Sequence, residues 1–569
     1  MAEYDLVVRG GTVVDGTGIP RYKADIAVKN GRIAQISGRI PSAGAKEIDA
    51  SGCIVGTGAI DLHTHYDAQL NWDPYASLSG WFGVTSLTIG ECGFGFAPTR
   101  PKDRDLNMRM MNRIEAIPLE SMRQGLRWDW ETFPEYMDSL ERQGLGVNVG
   151  PMFPFSPMRG YVMGMMEARE RTSATESELN QMKQIFDESM KAGAFGFSLD
   201  KNMEDRPEDG SFLPSHVASR EEFVALAEVM GSYGVGHMGL TMGYGLSIEE
   251  QRDILSTLTE MMQVSGRTLS ALVLDPNETG DLGRWKEKSW NEGLPLVMQD
   301  LCTPPVVGFQ FKLSEFNLYD YMPNWVQPFI GSPEERAQKL QDADTRQLMK
   351  KDLIDWPHHR TNWDRLRVLE TTQQRNEQYE GMTVSEVAQL VGKEPMDAFL
   401  DLALDEGLET EFALPLVVTE EEHKSLEDRL LDPKTHISVS DGGAHTKFST
   451  TSVWPIFWLY YWIRDREIMS LEQAHYKMSA LPAWVADFKD RGTLRVGSWA
   501  DMIVYDLDEL GLLHENPVFA NDFPGGEKRL IQKPTGLRYT IVNGTVTFEG
   551  NDCTGALPGK LLRSYDMVG

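Results

Sequence analysis

The chain has 569 residues, of which 41% are hydrophobic and 25% are charged, as in ordinary globular proteins. No apolar run approaches the ~20 residues of a membrane-spanning helix, and the first residues lack the basic and apolar regions of a secretory signal. The formal net charge of −30 disfavours nucleic-acid partners, because phosphate backbones carry the same sign. The four cysteines are scattered without paired spacing, which is typical of a reducing compartment. We therefore expect a cytoplasmic protein that binds neither membranes nor nucleic acid.

Both ends of the chain consist of short β-rich segments. Residues 5–36 contain four of them, and Asn30-Gly31 separates the last two. Residues 500–548 contain three more, with Asn543-Gly544 between the last two. Because Asn-Gly between hydrophobic runs favours a hairpin, the pattern predicts one small sheet domain built from both ends of the chain.

The long middle of the chain alternates short apolar segments with helical stretches such as 176–192 and 220–233. This alternation is typical of βα units and a parallel sheet. Eight strands of this kind would close a (β/α)8 barrel. The candidate strands are 59–65, 84–90, 146–151, 194–199, 234–240, 268–274, 306–312 and 436–441. The segment at about 314–435 is too long for one crossover, so we expect a structured insertion over the barrel mouth.

The first predicted strand ends in Asp61-Leu62-His63-Thr64-His65. Side chains two residues apart on a strand point the same way, so His63 and His65 are expected to project together. They would project from the carboxyl end, where barrels of this kind carry their active sites. A lone histidine is usually structural, but this pair predicts half of a metal site.

Cys92 follows the second predicted strand, within Glu91-Cys92-Gly93. A thiolate is a strong zinc ligand and can serve beside imidazoles. An isolated cysteine is more commonly buried and inert. The residues alone leave these two interpretations open.

Two further candidates lie at the ends of later strands. His237 lies on the fifth predicted strand and would supply a third imidazole. Asp441 ends the eighth predicted strand, where a carboxylate could bind a metal ion and accept a proton from water. The alternative for Asp441 is a turn residue before Gly442-Gly443.

Six segments spread over nearly the whole chain form a recognisable set: DLVVRGGTVVDGTG from Asp5, DLHTHYDAQ from Asp61, GVT from Gly83, ECGFG from Glu91, RGTLRVGSWAD from Arg491 and VNG from Val542. Together they resemble the amidohydrolase superfamily. Within it, the Cys92 motif resembles the N-acyl-D-amino-acid deacylase (D-aminoacylase) branch.

This resemblance implies a metal-bearing (β/α)8 barrel with a composite β-sandwich. We expect the sandwich to comprise residues 1–57 and 485–569 and the barrel to comprise 58–484. The implied activity is metal-dependent hydrolysis of the amide bond of an N-acyl amino acid or a related small N-acyl compound, with one or two zinc ions. The residues that fall on metal-site or catalytic positions are His63, His65, Cys92, His237 and Asp441, with Asp441 as the general base and acid for metal-activated water.

The chain also departs from that branch. The sixth predicted strand carries neither the histidine nor the lysine that the branch usually has there. The fourth carries no lysine for carboxylation, which agrees with the branch. Lys447 and His445 follow Asp441, so we expect Lys447 to supply a replacement charge for a substrate carboxylate and His445 to line the substrate site. A cyclic amide or imide hydrolase, a deaminase, a decarboxylase and a non-catalytic barrel remain alternatives. Homo-oligomerisation stays open.

Overall fold

The structure, a computed structural model, describes residues 2–274, 280–303, 306–356, 359–415, 417–514 and 516–567. In chain order, its strands are β1 (Tyr4–Val14), β2 (Tyr22–Lys29), β3 (Arg32–Ser37), β4 (Gly44–Asp49), β5 (Ile54–Thr57), β6 (Ala59–Asp61), β7 (Val84–Ile89), β8 (Asn148–Pro151), β9 (Phe153–Pro154), β10 (Gly196–Lys201), β11 (His237–Met242), β12 (Thr268–Val273), β13 (Leu296–Gln299), β14 (Val306–Phe309), β15 (Arg367–Glu370), β16 (Glu411–Pro415), β17 (Thr435–His436), β18 (Met502–Tyr505), β19 (Gly511–Leu512), β20 (Val518–Ala520), β21 (Arg529–Ile531), β22 (Pro534–Thr535), β23 (Leu537–Val542), β24 (Thr545–Glu549) and β25 (Asp552–Cys553).

The α-helices, also in chain order, are α1 (Ser77–Trp81), α2 (Arg104–Glu115), α3 (Leu119–Gly125), α4 (Phe133–Gln143), α5 (Phe155–Met163), α6 (Met165–Glu170), α7 (Glu176–Ala192), α8 (Pro214–Val217), α9 (Arg220–Gly231), α10 (Ile248–Ser265), α11 (Asp281–Asn291), α12 (Pro323–Val326), α13 (Pro333–Gln341), α14 (Ala343–Asp355), α15 (Val384–Val391), α16 (Pro395–Asp405), α17 (Glu420–Leu431), α18 (Trp454–Phe457), α19 (Leu471–His475) and α20 (Leu481–Val485). Across the described ranges, none of these helices has the length and apolar character needed to cross a bilayer.

Helix α7 shows how the sequence sets these boundaries. It begins after Thr175, whose hydroxyl accepts from the Glu178 amide while the Glu178 carboxylate accepts from the Thr175 amide. It ends at Gly193, whose φ of 105° suits glycine. The predicted helix 176–192 is therefore confirmed to the residue.

Parallel strands form the centre of the molecule. Strands β6, β7 and β8 make one parallel sheet, and β9 to β13 continue with β17 in another. Hydrogen bonds also join the segments that directly follow β6 and β17, since the amide of Leu62 donates to the carbonyl of Ser438 and that of Asp441 donates to the carbonyl of His63. The carboxyl ends of these strands therefore face the same side of the molecule.

The predicted seventh strand, 306–312, is wrong. Strand β14 pairs antiparallel with β16, in a separate three-stranded sheet with β15. The place beside β12 in the parallel sheet belongs to β13 (Leu296–Gln299). The three-stranded sheet packs with helices around its own aromatic core, which includes Phe309 and Phe399.

Strands from both ends of the chain share one nine-stranded sheet. Its order is β25-β24-β23-β18-β5-β1-β2-β3, with β4 paired to β1. Strand β5 pairs with β1 and β18 on either side and leads directly into β6. The first parallel strand is thus anchored at its amino end, opposite the end that carries the predicted metal-site residues.

Candidate metal centre

His63 and His65 follow β6 at the carboxyl end of the parallel strands. Their side chains are buried, with exposures of 2% and 1%. The amide of His65 donates to the carbonyl of Gly442 over 2.7 Å, and the amide of Asp441 donates to the carbonyl of His63 over 3.0 Å. These backbone hydrogen bonds fix the histidine pair against the segment that carries Asp441.

Cys92 lies beside both imidazoles. Its Sγ is 3.3 Å from His63 Nε2 and 3.8 Å from His65 Nε2. Cys92 adopts a left-handed φ of 54°, which is uncommon for a residue with a side chain. The preceding Gly90 has a φ of 82°, and a Cβ there would lie 2.2 Å from the Met152 carbonyl oxygen. The tight turn that presents the thiol therefore requires glycine at position 90.

Asp441 completes this group of side chains. Its Oδ1 is 3.2 Å from His65 Nε2 and 3.7 Å from His63 Nε2. Asp441 also has a left-handed φ, of 55°. Backbone strain of this kind persists where the surroundings hold it, commonly at functional sites.

Glu115 and His445 lie on the other side of Asp441. Glu115 ends α2, and its buried carboxylate is 3.6 Å from His65 Nε2 through Oε1 and 3.7 Å from His445 Nε2 through Oε2. His445 Nε2 is also 3.5 Å from Asp441 Oδ2. Glu115 was not predicted from the sequence, because no local motif marks a glutamate at the end of a helix as part of a site.

Gln299 is a second residue that the sequence analysis missed. Its Oε1 lies 2.8 Å from His63 Nδ1, and its Nε2 donates to Ser270 Oγ over 2.9 Å. Gln299 thereby orients the His63 ring with Nε2 toward Cys92 and Asp441. It was missed because it is the last residue of β13, the strand that the sequence analysis placed elsewhere.

The structure does not bring His237 to this group, which corrects the expected third imidazole. His237 is the first residue of β11, at the amino end of the strand. The carboxyl end of β11 carries Thr241, whose Oγ1 is 3.0 Å from Cys92 Sγ. Four residues of strand separate the two positions by about 13 Å. The predicted strand began three residues too early, and so placed His237 too near the mouth.

Lys447 is not positioned as expected for a substrate carboxylate. Its ammonium is 2.9 Å from Glu315 Oε1 and 3.3 Å from Glu527 Oε2. Its charge is therefore already neutralised within the protein. A lysine does end the fourth strand, contrary to expectation, but Lys201 donates to the carbonyls of Ser215 and His216 and not toward the centre.

The titration of the two imidazoles differs. Burial lowers the pKa of His63 to about 4, although Asp441 opposes this shift. Burial also disfavours the charged form of His65, but the carboxylates of Glu115 and Asp441 raise its pKa to about 10. Burial raises the pKa of the Cys92 thiol well above its ordinary value and that of Glu115 to about 8. At neutral pH the Cys92 thiol and the His65 imidazole thus hold protons that a bound cation would displace.

A cavity of about 230 Å³ opens onto these side chains. Part of its wall is apolar and comes from strand ends and from the segment around β14, for example Leu272, Phe309 and Phe316. Arg360 and Glu204 form an ion pair in its wall. The cavity can therefore hold a small molecule with an apolar part next to the histidine pair.

The residues at this centre fit a zinc ion. Two imidazoles, a thiol and a carboxylate are the donor types that zinc takes, with bonds of about 2.0–2.3 Å. Ligand atoms around one tetrahedral zinc then lie about 3.3–3.8 Å apart. The four separations given above from His63 and His65 to Cys92 and Asp441 run from 3.2 to 3.8 Å.

Comparisons with known proteins agree with this geometry. The family described as "Amidohydrolase family" matches residues 359–548. An uncharacterized protein of Mycobacterium tuberculosis is 27% identical over 97% of this chain and 93% of its own. A D-aminoacylase of Alcaligenes xylosoxydans xylosoxydans is 25% identical over 98% of this chain and 97% of its own. The crystal structure of an N-acyl-D-glutamate deacylase from Bordetella bronchiseptica, with zinc and a phosphonate inhibitor, superposes with a TM-score of 0.65 at 21% identity, over 98% of this chain and 99% of its own.

These matches confirm the resemblance to the amidohydrolases and, within them, to the D-aminoacylase branch. The structural likeness, at 21% identity, establishes the α/β fold that the two proteins share.

Proposed function

We propose that this protein is a metal-dependent hydrolase of the amide bond of an N-acyl amino acid or a related small N-acyl compound. The observation that carries the proposal is the convergence of His63, His65 and Cys92 at the carboxyl ends of the parallel strands, with Asp441 beside both imidazoles. The D-aminoacylase and N-acyl-D-glutamate deacylase relatives support the substrate class.

His63, His65, Cys92 and Asp441 would hold the ion, which we assign as zinc from the thiol and imidazole donors. When bound, zinc polarises a carbonyl group and makes a water-derived nucleophile available near neutral pH. Gln299 holds the His63 ring in place through Nδ1. The buried Cys92 thiol must lose its proton to bind, so binding is coupled to proton release.

Asp441 holds and moves the proton. Burial disfavours its charge, but the hydrogen bond from His65 and the neighbouring histidines keep its pKa well below the ordinary value, so it is ionised at neutral pH. An ionised carboxylate beside the cavity can accept a proton at Oδ2 and deliver it to the leaving nitrogen. His445 is 3.5 Å from that oxygen and lines the same cavity.

The proposal also includes the domain architecture of the chain, a barrel and a composite sandwich. The parallel strands and the hydrogen bonds between β6 and the segment after β17 support a (β/α)8 barrel over 58–484. The shared nine-stranded sheet supports a composite β-sandwich from 1–57 and 485–569. In this scheme the unit around β14, β15 and β16 forms the insertion beside the cavity.

A panel of purified substrates tests the function. Zinc-loaded protein is incubated with N-acyl-D-amino acids, N-acyl-L-amino acids and cyclic imides, and released amine is quantified. We expect hydrolysis of at least one N-acyl series and its loss in the His63→Ala variant. Turnover of cyclic imides alone would reject the proposed substrate class.

A further inference from the structure

The Cys92 sulfur has three polar neighbours. His63 Nε2 and His65 Nε2 lie 3.3 and 3.8 Å from Sγ, and Thr241 Oγ1 lies nearer, at 3.0 Å. An imidazole nitrogen that binds a metal ion through its lone pair carries no hydrogen to donate. When the two histidines hold an ion, Thr241 is therefore the remaining hydrogen-bond donor to this sulfur within the described part of the chain.

The direction of this hydrogen bond follows from the chemistry of the ligand. A metal-bound cysteine is a thiolate, which accepts hydrogen bonds and has no proton to give. The Thr241 hydroxyl must then be the donor. Cys92 is 6% exposed and Thr241 is 4% exposed, so bulk water has little access to either group. A buried charge without a donor is costly, and the hydroxyl offsets part of that cost.

The parallel sheet holds Thr241 in place. Thr241 is the fifth residue of β11 and pairs with Asp200 of β10 on one side and Leu272 of β12 on the other. A β-branched side chain on a strand has few χ1 angles available. The hydroxyl is therefore oriented toward the Cys92 sulfur by the fold itself.

We propose that Thr241 is a positioning residue of the metal centre, whose hydroxyl orients the Cys92 sulfur and tunes its strength as a ligand. The hydrogen bond keeps Sγ on the side of the two imidazoles. It also withdraws electron density from the sulfur, so that a bound zinc ion keeps more of its Lewis acidity. The inference deepens the proposed function and rests on it for the ion.

Thr241→Val tests this role, because it removes the hydroxyl and keeps the branched shape. On full-length protein without substrate, we expect zinc affinity to fall roughly tenfold or more, measured by competition with a chromogenic chelator. Cobalt-loaded protein reports on the sulfur itself. The thiolate-to-cobalt charge-transfer band should move to longer wavelength in Thr241→Val, because a sulfur that has lost a hydrogen bond gives up electron density more easily. Thr241→Ser keeps the hydroxyl and should return both readouts toward the wild type.

Thr85→Val is the matched control. Thr85 is also a buried threonine on a parallel strand, but its hydroxyl donates to the carbonyl of Ala59 near the amino end of β7. This variant should bind zinc and cobalt as the wild type does. If Thr241→Val does not fold, as judged by circular dichroism, Thr241→Ala replaces it with the same expected changes.

Wild-type zinc affinity and band position in the folded Thr241 variant would overturn the assignment. Equal losses in Thr85→Val would overturn it too, since the effect would then come from replacing any buried threonine. A wild-type cobalt spectrum without a thiolate band would also overturn it, because Cys92 would not bind the ion. Hydrolysis is scored separately, so the proposed function can fail while the role of Thr241 stands, or the reverse.

Discussion

The side-chain oxygen of Gln299 lies 2.8 Å from Nδ1 of His63, and this contact orients the imidazole toward Cys92 and Asp441. It makes Gln299 a positioning residue for the metal centre. Groups in this second layer commonly change metal affinity 10- to 100-fold when they are removed.

Gln299→Met should therefore weaken zinc binding by roughly tenfold or more, because His63 loses the acceptor that fixes its ring. The zinc dissociation constant, measured by competition with a chromogenic chelator, checks this. Ser270→Ala is the control, since it leaves the oxygen of Gln299 in place and removes the hydroxyl that contacts the Gln299 amide and His436 Nε2. An unchanged dissociation constant in Gln299→Met would show that His63 needs no such support.

Removing the histidine pair should remove the ion. We expect His63→Ala combined with His65→Ala to lose most bound zinc and all hydrolysis but to remain folded, because both residues lie at the strand ends and not in the packed core. Elemental analysis and circular dichroism make the measurement. Full zinc occupancy in a folded double variant would contradict the ligand assignment.

Asp441→Asn separates metal binding from proton transfer. The amide retains an oxygen for the ion but cannot accept a proton at neutral pH, so turnover should fall by a factor on the order of 10² or more. Zinc content and kcat are measured on the same preparation. Near-full turnover with zinc retained would make Asp441 a turn residue and place the base elsewhere.

Lys447→Met should affect stability and not substrate charge selection. Lys447 is held between Glu315 and Glu527, so its loss leaves the buried Glu315 carboxylate without its cation, with the Ser314 hydroxyl still donating to it. This costs roughly 1–3 kcal/mol of folding free energy. Chemical denaturation measures the loss, and Lys447→Met combined with Glu315→Gln should recover part of it. A KM increase confined to carboxylate-bearing substrates would instead show that Lys447 contacts the substrate carboxylate.

His237 should influence acid stability and not metal content. Burial lowers its pKa to about 3, below the 6.5 of an unfolded histidine. Between those values the unfolded chain binds a proton that the folded chain does not, so stability falls as the pH falls from 6.5 toward 3. At pH 5 this difference in proton binding lowers the free energy of unfolding by about 2 kcal/mol.

His237→Met removes that contribution. The difference in unfolding free energy between pH 7 and pH 5 should therefore be smaller in the variant, with zinc content unchanged. Loss of zinc in His237→Met would instead show that His237 is a metal ligand.

The sequence predicts those parts of the centre in which metal-ligating residue types lie next to the ends of predicted strands. His63, His65, Cys92 and Asp441 each lie at or shortly after the end of a predicted strand, so their grouping follows from the parallel arrangement alone. The apolar pattern of residues 306–312 resembles a buried strand equally well, and periodicity does not tell an antiparallel strand from a parallel one. Because of that ambiguity, the seventh strand was predicted at the wrong residues, and Gln299 was not recognised as part of the site.

Contacts between distant segments could not be predicted from sequence. The partner of Lys447, Glu315, lies in another part of the chain, and Glu115 reaches the centre only because α2 ends at the cavity. Both contacts depend on how segments that are distant in the sequence pack over the strand ends. No spacing rule in a single sequence specifies that packing.

Removal and return of the metal tests the central claim most directly. The protein is stripped with a chelator, assayed on the N-acyl substrate panel, reloaded with one equivalent of zinc and assayed again. We predict that hydrolysis disappears with the metal and returns with one equivalent of zinc in the wild type, but not in His63→Ala. Undiminished hydrolysis by the metal-free protein, or full zinc-dependent recovery in His63→Ala, would contradict the account.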